Sequence, residues 1–386
     1  MNIYYWCPFL SKVATVQAVL NSAISVKKYS KNKISPYIIN TVGEWNQFKN
    51  IIDEKNIKLV NFIESKSLYK SLPRYSYLKS RFSYILIFIL TILQLYKFLD
   101  KRTKNDIFVI HLISSLPLLL ILLFNFKCKF ILRISGYPKL NFFRKLLWKL
   151  CKDKLSIILC PTEDTKENLI SKKIFNFKTY HVLCDPIIEV SKFSRMKREK
   201  ISNHLNDKKY IINIGRLTRQ KNQKFLIEGF YEILKLDPNL YLIILGEGEL
   251  ENELKKIALK LNIENRIFFL GYRDNVYNYL NNAKCFILTS DWEDPGFVLI
   301  EAAFLRVPII SSNCPNGPNE ILENGNGGYL FRSNDQADFI NKFKQFRNEN
   351  DNLLKKRKLK VLKKSKNYTC FRHFQNLQKI LISTYG

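Results

Sequence analysis

Residues 210–245 read YIINIGRLTRQKNQKFLIEGFYEILKLDPNLYLIIL, and their apolar pattern gives the clearest indication of the fold class. The apolar run Tyr210 to Ile214 predicts a buried strand, Asn222 to Leu236 has the apolar period of a helix, and Leu240 to Leu245 predicts a second strand. A strand, a helix and a strand in this order form a βαβ unit, whose strands lie parallel. These residues therefore predict a doubly wound α/β domain.

Strands and helices alternate in the same way over most of the chain. Each further strand is predicted from a short apolar run bounded by polar or turn residues. The predicted strands are Asn2 to Trp6, Tyr37 to Val42, Asp106 to Leu112, Lys129 to Ile134, Ser156 to Cys160, Arg266 to Leu270, Cys285 to Leu288 and Pro308 to Ser311. Because such alternation is typical of parallel sheets, we expect two doubly wound, Rossmann-like domains that face a central cleft.

Shifts in composition mark the expected domain boundaries. Residues 190–209 are polar and rich in Lys, Arg and Ser, with no apolar period, so we interpret them as a linker. We therefore expect an N-terminal domain at 1–189 and a C-terminal domain at 210–350. A basic helical tail at 351–386 follows, and its return to the N-terminal domain is one option.

The 386 residues have the composition of a folded protein with a large positive charge. Hydrophobic residues make up 46% and charged residues 25%, which excludes a disordered or collagen-like chain. There are 63 Lys and Arg against 33 Asp and Glu, a formal net charge of +30. Lys, Asn and Ile are abundant along the whole chain, so codon bias is one explanation for part of this excess. The rest suggests a polyanionic partner, which is nucleic acid, an anionic membrane face or a phosphate-bearing substrate.

Cysteine and histidine usage argues against disulfide-rich and metal-binding classes. The eight cysteines form no C-x-x-C pair and most lie in apolar runs, so we expect neither a disulfide framework nor a zinc site. No two histidines are at i,i+4 spacing, which argues against a His-rich metal site. The four histidines are His111, His181, His204 and His373.

Three segments bear on targeting and membranes. The first residues lack a basic region followed by an apolar run, so we expect no cleavable signal peptide. Residues 82–96, FSYILIFILTILQLY, are uncharged with basic residues on both sides, but they fall short of the roughly 20 apolar residues of a membrane-spanning helix. We interpret them as a helix that is buried or lies in a membrane interface, with a true span as the third alternative. Leu112 to Phe126 is predicted as a core helix.

Candidate binding residues follow the predicted strands, because ligands of doubly wound sheets bind beyond the carboxyl ends of the strands. After Ile214 come Gly215, Arg216 and Lys221, a close backbone turn with two cations ahead of a helix N-terminus. That combination suits a diphosphate, although two solvated charges would give the same sequence. Later strands are followed by Gly246-Glu247-Gly248 and by Leu270-Gly271, which are weak signals when taken singly.

The most informative segment is 289–303, TSDWEDPGFVLIEAA. Glu293 lies in a loop before a predicted helix, and Glu301 lies inside that helix among apolar residues. A carboxylate in such surroundings is unfavourable unless it meets a polar ligand or a partner such as Arg306. Gly296 and Phe297 lie at the helix start, where backbone N–H groups are available to an anion.

In their order and spacing these motifs resemble the donor domain of glycosyltransferase family 4, retaining enzymes with the GT-B fold. The resemblance runs from Gly215 to about Phe331 and includes the E-x7-E pair Glu293 and Glu301. It also includes Gly215-Arg216-Leu217, Gln220-Lys221-Asn222, Gly246-Glu247-Gly248, Phe269-Leu270-Gly271, Ser311-Ser312-Asn313-Cys314-Pro315 and Gly317-Pro318-Asn319-Glu320. More loosely, residues 132–138 (LRISGYP) and the Cys160-Pro161-Thr162 step resemble a subgroup that builds O-antigen and other bacterial surface polysaccharides.

The resemblance implies roles for single residues. Arg216 and Lys221 would bind the diphosphate of a nucleotide sugar and stabilise it as it leaves. Glu293 would contact the donor sugar, and Glu301 would hold the ribose hydroxyls. His111 follows an N-terminal strand and is a catalytic candidate near the sugar, with a purely structural histidine as the alternative. The remaining residues of the expected donor site are Gly215, Gly246, Glu247, Leu270, Gly271, Gly296 and Phe297, with Leu270 and Gly271 beside the base.

The implied function is retaining transfer of a sugar from a UDP-hexose or UDP-N-acetylhexosamine to a lipid-linked glycan in bacterial surface polysaccharide synthesis. No cofactor or metal is expected, and no D-x-D triplet is present. The basic N-terminal domain and residues 82–96 would bind the anionic cytoplasmic face of the membrane peripherally. Alternatives are a GDP- or ADP-sugar donor, a soluble acceptor, or a catalytically silent membrane- or sugar-nucleotide-binding protein. Dispersed lysines argue against nucleic acid as a partner.

Two segments depart from the family pattern. Residues 8–15, PFLSKVAT, lack the Gly pair that many members carry in the first loop. Ser135-Gly136 stands where many members have His-Gly. Both departures fall in the N-terminal half, so the acceptor side of the site is left undefined.

Overall fold

The computed structural model describes residues 1–11, 14–63, 68–73, 77–136, 140–201, 205 and 207–385, with the backbone alone at 77–80. These residues form two compact units. The first, which we call unit 1, comprises Met1–Pro186 and Cys370–Gly386, and the second, unit 2, comprises Ile187–Thr369. Each unit contains one parallel sheet with helices on both faces. The predicted class of two doubly wound α/β domains is therefore confirmed.

Unit 1 follows strand–helix alternation from its first residues. Its elements up to Pro186 are β1 Asn2–Trp6, α1 Ala14–Tyr29, β2 Ser35–Asn40, α2 Lys49–Glu54, β3 Lys58–Asn61, α3 Leu68–Ser71, α4 Tyr77–Asp100, β4 Asp106–Ile110, α5 Ser115–Leu123, β5 Lys129–Arg133, α6 Phe142–Leu150, β6 Ile157–Cys160, α7 Glu163–Ser171 and β7 Tyr180–Val182.

The sheet of unit 1 has the order β3-β2-β1-β4-β5-β6-β7, with all neighbouring strands parallel. The strand order reverses between β1 and β4, where Trp6 pairs with Ile110. Every residue of β4 is buried. Strands covered on both faces have near-continuous apolar sequences, which is why the central strands could be recognised from composition.

Unit 2 repeats the same plan. Its elements are α8 Val190–Met196, β8 Tyr210–Ile214, α9 Gln223–Leu236, β9 Tyr241–Leu245, α10 Glu251–Lys260, β10 Ile267–Phe269, α11 Tyr277–Asn282, β11 Phe286–Leu288, α12 Phe297–Phe304, β12 Ile309–Ser312, α13 Pro318–Ile321, β13 Tyr329–Phe331, α14 Gln336–Asn348 and α15 Asp351–Ser365. The parallel strands have the order β10-β9-β8-β11-β12-β13. The strand order therefore reverses between β8 and β11.

The last helix, α16 Cys370–Tyr385, belongs to unit 1 although the preceding helix belongs to unit 2. It packs against α1, and Phe374, Leu377 and Leu381 share a core cluster with Val19 of α1. His373 is also buried there, where its Nε2 lies 2.8 Å from Ser22 Oγ and its Nδ1 lies 2.7 Å from the Cys184 carbonyl oxygen. The final helix is thus an integral part of the unit 1 core.

The segment interpreted as a linker, 190–209, is not an extended connection in its described part. Residues 190–196 form α8, and the whole segment falls within unit 2. Phe193 of α8 is buried, and its ring stacks on Tyr277 with centroids 4.0 Å apart. One buried aromatic in a polar segment produces no apolar period, so the sequence pattern did not reveal this helix.

Helix α4 combines a buried and an exposed apolar side. Ile87, Leu95 and Leu99 are fully buried in unit 1, whereas Phe82, Tyr84, Ile85, Ile89 and Leu93 are exposed. By length and composition, Arg81–Asp100 is the one helix in the described ranges that could cross a membrane. Because one side of α4 packs on the unit 1 core, its geometry fits a helix lying on protein better than a helix surrounded by lipid. Residues 112–126 contain α5, whose Leu116 and Leu120 are buried as expected for a core helix.

The packing of α16 predicts that its inner side stabilises unit 1. Replacing buried Leu377 by Ala removes apolar contacts with α1, so Leu377→Ala should lower the free energy of unfolding by about 2–5 kcal/mol. Exposed Ile382 on the same helix is the matched control, and Ile382→Ala should change the free energy by less than about 0.5 kcal/mol. Urea denaturation followed by circular dichroism measures both. Equal stability of the two variants would contradict the placement of α16.

Candidate functional site

The candidate site lies at the carboxyl edge of the unit 2 sheet, where the strand order reverses. The loops that follow β8 and β11 meet at this switch point, because these two strands are neighbours with opposite continuations. Asp291 N–H donates to the Gln220 carbonyl oxygen at 2.9 Å, and Thr289 Oγ1 donates to the Lys221 carbonyl oxygen at 3.0 Å. The switch point is the usual place of the ligand site in doubly wound sheets.

Lys221 and Glu293 form an ion pair across the switch point. Lys221 ends the short turn Arg219–Lys221 before α9, and its Nζ lies 2.6 Å from Glu293 Oε1. The buried Ser290 hydroxyl donates to the same oxygen at 2.6 Å. Both bonds end on Oε1, so Oε2 carries the remaining acceptor capacity of the carboxylate. Lys221 stays partly exposed, and its ammonium group has further N–H donors for an anion.

The loop that carries Glu293 is held by bonds from the next strand. Glu293 N–H donates to the Pro315 carbonyl oxygen at 3.1 Å, and Asn316 Nδ2 donates to the Glu293 carbonyl oxygen at 3.1 Å. Ser312 Oγ donates to the Ser290 carbonyl oxygen at 2.7 Å. Sequence reasoning did not single out Ser290 and Asn316 as site residues. The feature that identifies them is their position, because both lie in loops that follow strands.

Arg216 is the exposed cation of the site. Its guanidinium forms no ion pair within the described part of the chain, and Gln223 Nε2 fixes the backbone below it by donating to the Arg216 carbonyl oxygen at 3.1 Å. Because α9 begins at Gln223, Arg216 and Lys221 both precede its N-terminus. An anion here would meet two cations and the positive end of a helix.

Gly215 and Gly246 are in direct backbone contact. Gly246 has φ +131°, and a Cβ added there would lie 2.0 Å from the Gly215 carbonyl oxygen. The two loops are also joined by Leu217 N–H, which donates to the Glu247 carbonyl oxygen at 2.9 Å. A glycine is therefore required at position 246 by close packing of the two loops, which brings the chain after β9 beside Arg216.

The loop after β10 completes the same edge. Gly246 N–H donates to the Gly271 carbonyl oxygen at 2.9 Å, and Tyr272 N–H donates to Glu247 Oε1 at 3.2 Å. Leu270 and Gly271 therefore lie directly beside Gly246 and Glu247, with Gly271 in the left-handed region at φ +66°. The structure thus brings the loops after β8, β9, β10 and β11 to one edge.

Glu301 lies on α12 with Tyr277 as its hydrogen-bond partner. The Tyr277 hydroxyl donates to Glu301 Oε1 at 3.3 Å. Burial raises the pKa of Glu301 to about 7, although this hydrogen bond and the charge of Lys192 act in the opposite direction. Arg306, the partner considered from the sequence, forms no ion pair with Glu301 among the described residues. With this pKa the carboxyl group is partly protonated near neutral pH, and its ionised form can accept hydrogen bonds from a ligand.

Gly296 and Phe297 form the start of α12. Gly296 has φ +92° and lies directly before the helix, with its Cα region packed against Glu293. Gly296 has no side chain with which to cap this helix, so within the described ranges the first-turn N–H groups receive no acceptor from the N-cap position. Glu293, Gly296 and Glu301 are thus connected by one loop and one helix.

His111 belongs to a separate feature in unit 1. It follows β4 and lines a cavity of about 380 Å³ together with Ser135, Arg133 and residues of α6. Both ring nitrogens of His111 and the Ser135 hydroxyl are buried without a partner in the described part of the chain. Burial, with the charges of Arg133 and His373, holds the pKa of His111 well below its usual value. A neutral imidazole can donate and accept, which suits a hydroxyl-bearing ligand.

Arg133, one of the residues that line the cavity, is held by polar contacts. Arg133 is buried and ion-paired with Asp185 at 2.6 Å, and it donates to the Leu183 carbonyl oxygen at 2.6 Å.

Three features noted in the sequence lie outside the described residues. They are Lys12-Val13 of the first loop, Tyr137-Pro138 and His204. No group of three or more His, Cys, Asp or Glu side chains in the described ranges is arranged to hold a metal ion.

Comparison with known proteins finds a family match in the second half of the chain. Residues 194–364 match the family model described as "Glycosyl transferases group 1". An uncharacterized glycosyltransferase of Methanocaldococcus jannaschii is 32% identical over 240 residues, which cover 58% of this chain and 59% of the relative.

Two bacterial relatives have assigned activities. The N-acetylgalactosamine-N,N'-diacetylbacillosaminyl-diphospho-undecaprenol 4-alpha-N-acetylgalactosaminyltransferase of Campylobacter jejuni is 27% identical over 233 residues, covering 60% of this chain and 62% of the relative. The UDP-Gal:alpha-D-GlcNAc-diphosphoundecaprenol alpha-1,3-galactosyltransferase of Escherichia coli is 34% identical over 147 residues, covering 37% of this chain and 38% of the relative. The matched segments thus span less than two thirds of each relative.

The fold likeness extends over the whole chain. A glycosyltransferase crystal structure from Rickettsia africae superposes with a TM-score of 0.74, covering 99% of this chain and 98% of that structure at 16% identity. At this identity the likeness concerns the fold alone. The GT-B expectation for the fold is therefore confirmed.

The contact between Gly215 and Gly246 predicts a strong effect of a single methyl group. Gly246→Ala forces the loops after β8 and β9 apart, so it should lower the free energy of unfolding by at least about 2 kcal/mol more than its control. The control is Gly325→Ala, because Gly325 also has positive φ (+85°) but a Cβ there meets only Leu330 Cδ1 at 3.9 Å. Chemical denaturation measures both, and equal losses would refute the crowding argument.

Proposed function

We propose that the protein transfers a sugar from a nucleotide-sugar donor to a lipid-linked glycan with retention of anomeric configuration. Support comes from the match of residues 194–364 to the group 1 glycosyltransferase model. The observation that carries the proposal is the Lys221–Glu293 ion pair at the unit 2 switch point, with Arg216 exposed in the loop that also carries Lys221. The site offers cations for a diphosphate and carboxylates for hydroxyl groups within connected loops.

The donor would lie along the carboxyl edge of the unit 2 sheet. Arg216, Lys221 and the N-terminus of α9 would hold the diphosphate. Glu301 would accept hydrogen bonds from the ribose, and Glu293 Oε2 would accept one from the sugar. The base would rest on the loop of Leu270 and Gly271, whose carbonyl is already ordered by Gly246 N–H.

The reaction forms a bond between the acceptor hydroxyl oxygen and the anomeric carbon and breaks the bond from that carbon to the phosphate oxygen. The transition state has oxocarbenium character, and negative charge builds up on the departing diphosphate. Preorganised cations lower the barrier because they interact more strongly with that charge than with the intact donor. The departing phosphate takes the acceptor proton, so no separate carboxylate base is required.

The nucleotide is proposed to be UDP, joined to a hexose or an N-acetylhexosamine. Support comes from the Escherichia coli relative, whose name specifies a UDP-Gal donor, and from the Campylobacter jejuni relative, which transfers N-acetylgalactosamine. Both names specify diphosphoundecaprenol-linked acceptors, which supports a lipid-linked glycan in surface polysaccharide synthesis. A GDP- or ADP-sugar is the alternative donor.

The acceptor is proposed to enter the unit 1 cavity. Its unpartnered His111 and Ser135 polar atoms suit the hydroxyl groups of a sugar, and a neutral His111 would orient the attacking hydroxyl. A lipid-linked acceptor requires the protein to work at a membrane. The net charge of +30 supports peripheral binding to the anionic cytoplasmic face, since each Lys or Arg near such a surface contributes about 1 kcal/mol.

Nucleotide binding tests the proposal without knowledge of the sugar or acceptor. UDP in the presence of EDTA should raise the melting temperature, because a ligand at about a hundred times its Kd stabilises the folded state by about 2.7 kcal/mol. GDP, ADP and CMP are compared at the same concentration. Lys221→Ala should abolish the shift, while Lys224→Ala, an exposed lysine on α9, should retain it.

The outcomes separate the parts of the proposal. A shift with another nucleotide instead of UDP would replace the donor but keep the site. A shift that needs metal would contradict metal independence. No shift with any nucleotide, or an equal shift in Lys221→Ala, would reject the donor-site assignment.

The raised pKa of Glu301 predicts a pH dependence of nucleoside binding. Its carboxylate accepts ribose hydrogen bonds better than its protonated form, so uridine affinity should rise as pH increases through about 7. Between about pH 6 and pH 8 the ionised fraction changes by about tenfold, which sets the expected change in Kd. Uridine is used because it has no phosphate that titrates in this pH range. The Glu301→Gln variant should bind uridine weakly and with no pH dependence. Isothermal titration calorimetry measures the Kd, and a wild-type Kd that does not change with pH would exclude Glu301 as the ribose acceptor.

A further inference from the structure

The solvent side of helix α6 carries apolar residues where a surface helix normally carries polar ones. Phe142 and Phe143 are 73% and 78% exposed, and Leu146 and Leu150 are exposed beside them. Residues four apart on a helix are neighbours, so Phe142, Leu146 and Leu150 form one row. We call Phe142, Phe143, Leu146 and Leu150 the α6 apolar stripe. Exposed apolar clusters of this kind mark surfaces that meet a partner or a membrane.

The opposite side of α6 fixes the helix on unit 1. Trp148 is buried and Leu147 is half-buried in the core cluster that also contains α5 residues. At the start of the helix, Asn141 Oδ1 accepts a hydrogen bond from Arg144 N–H at 2.9 Å. The helix is therefore anchored from inside, and the stripe is presented outward as a property of the folded unit.

Basic residues border the stripe, and residues 140–150 contain no acidic residue. Lys145 and Lys149 are exposed and lie three residues after Phe142 and Leu146, along one flank of the row. Apolar residues on one side with cations along the border are the composition of helices that lie in the surface of an anionic bilayer. A second copy of the chain is a poorer occupant, because it would bring like charges together.

A second apolar row lies on the same helical layer. We call Phe82, Ile85, Ile89 and Leu93 of α4 the α4 apolar stripe, and all four are exposed. Helix α5 packs against both α4 and α6, and buried residues of the three helices share one core cluster on one face of the sheet. Both stripes therefore lie on helices that cover the same face of the unit 1 sheet, on sides that are exposed.

We infer that α6 and α4 insert their apolar stripes into the surface of an anionic bilayer and that α6 holds the mouth of the unit 1 cavity at that surface. Phe143 belongs to the stripe and also lines the cavity with His111 and Ser135. A lipid-borne group could then reach the cavity without leaving the interface. This inference deepens the proposed function and rests on it only for the nature of the group that enters the cavity.

Vesicle flotation in the absence of donor and acceptor tests the inference. Wild-type protein should bind vesicles of phosphatidylglycerol and phosphatidylethanolamine, and bind much less to phosphatidylcholine alone. Phe142→Ser with Phe143→Ser should lower the partition coefficient by at least about tenfold, because two phenyl groups no longer leave water. Lys145→Ala with Lys149→Ala should lower it at about 0.1 M salt and much less at about 1 M salt.

A matched control separates this surface from general hydrophobicity. Phe177 and Leu259 are 67% and 61% exposed and belong to neither stripe, so Phe177→Ser with Leu259→Ser should bind vesicles like the wild type. Wild-type binding by the Phe142, Phe143 variant would overturn the inference, as would equal loss in the control. A dimer in vesicle-free buffer that this variant dissociates would assign the stripe to a second copy instead.

Depth of insertion gives an independent readout that does not depend on loss of binding. The Phe143→Trp variant gains tryptophan fluorescence at position 143. If this side chain enters the bilayer, lipids brominated in their acyl chains should quench that added fluorescence. Absence of quenching while the protein is vesicle-bound would overturn the role of α6. All variants should retain the wild-type shift of melting temperature with UDP, so a failure here is distinguishable from a failure of the proposed donor site.

Discussion

The ion pair between Lys221 and Glu293 is the constraint on which the proposed donor site in unit 2 depends. It joins the loops after two strands that are neighbours in the sheet but far apart in sequence. A carboxylate as buried as Glu293 is stable only with such a partner, so the site and the packing of unit 2 are not independent. Ser290 and Asn316 then hold the same loop, which leaves one carboxylate oxygen and part of the ammonium group for a ligand.

The sequence was sufficient for the elements that are buried on both sides. Strands such as β8 are continuous apolar runs, and the glycines and charged residues after them could be assigned to one sheet edge before any coordinates. Short or half-exposed strands were missed: β3 and β13 lack a distinctive run, and β7 has three residues. Helix α8 was missed because one buried aromatic, Phe193, gives no period.

Within the site, sequence order identified the residues but not their partners. Glu301 was expected to need a ligand or a cation, and the structure provides Tyr277, a neutral donor from another helix. Nothing in the local sequence of Glu301 reports that contact. The outward direction of the α6 apolar residues could not be predicted either. A helical period indicates that a helix has an apolar side, but it does not show whether that side meets the core.

The return of α16 to unit 1 has a consequence for the order of folding during synthesis. The chain of unit 2 is inserted into that of unit 1, so the chain passes from unit 1 to unit 2 at Ile187 and returns after Thr369. The two ends of unit 2 lie together, because the Ile187 and Ile188 N–H groups donate to the Tyr368 carbonyl oxygen. All of unit 2 is made before α16, so a nascent chain can finish its second unit while the first still exposes the surface that α16 covers. Unit 1 therefore completes its core last, and nascent chains carry an exposed apolar groove along α1 until the final helix is made.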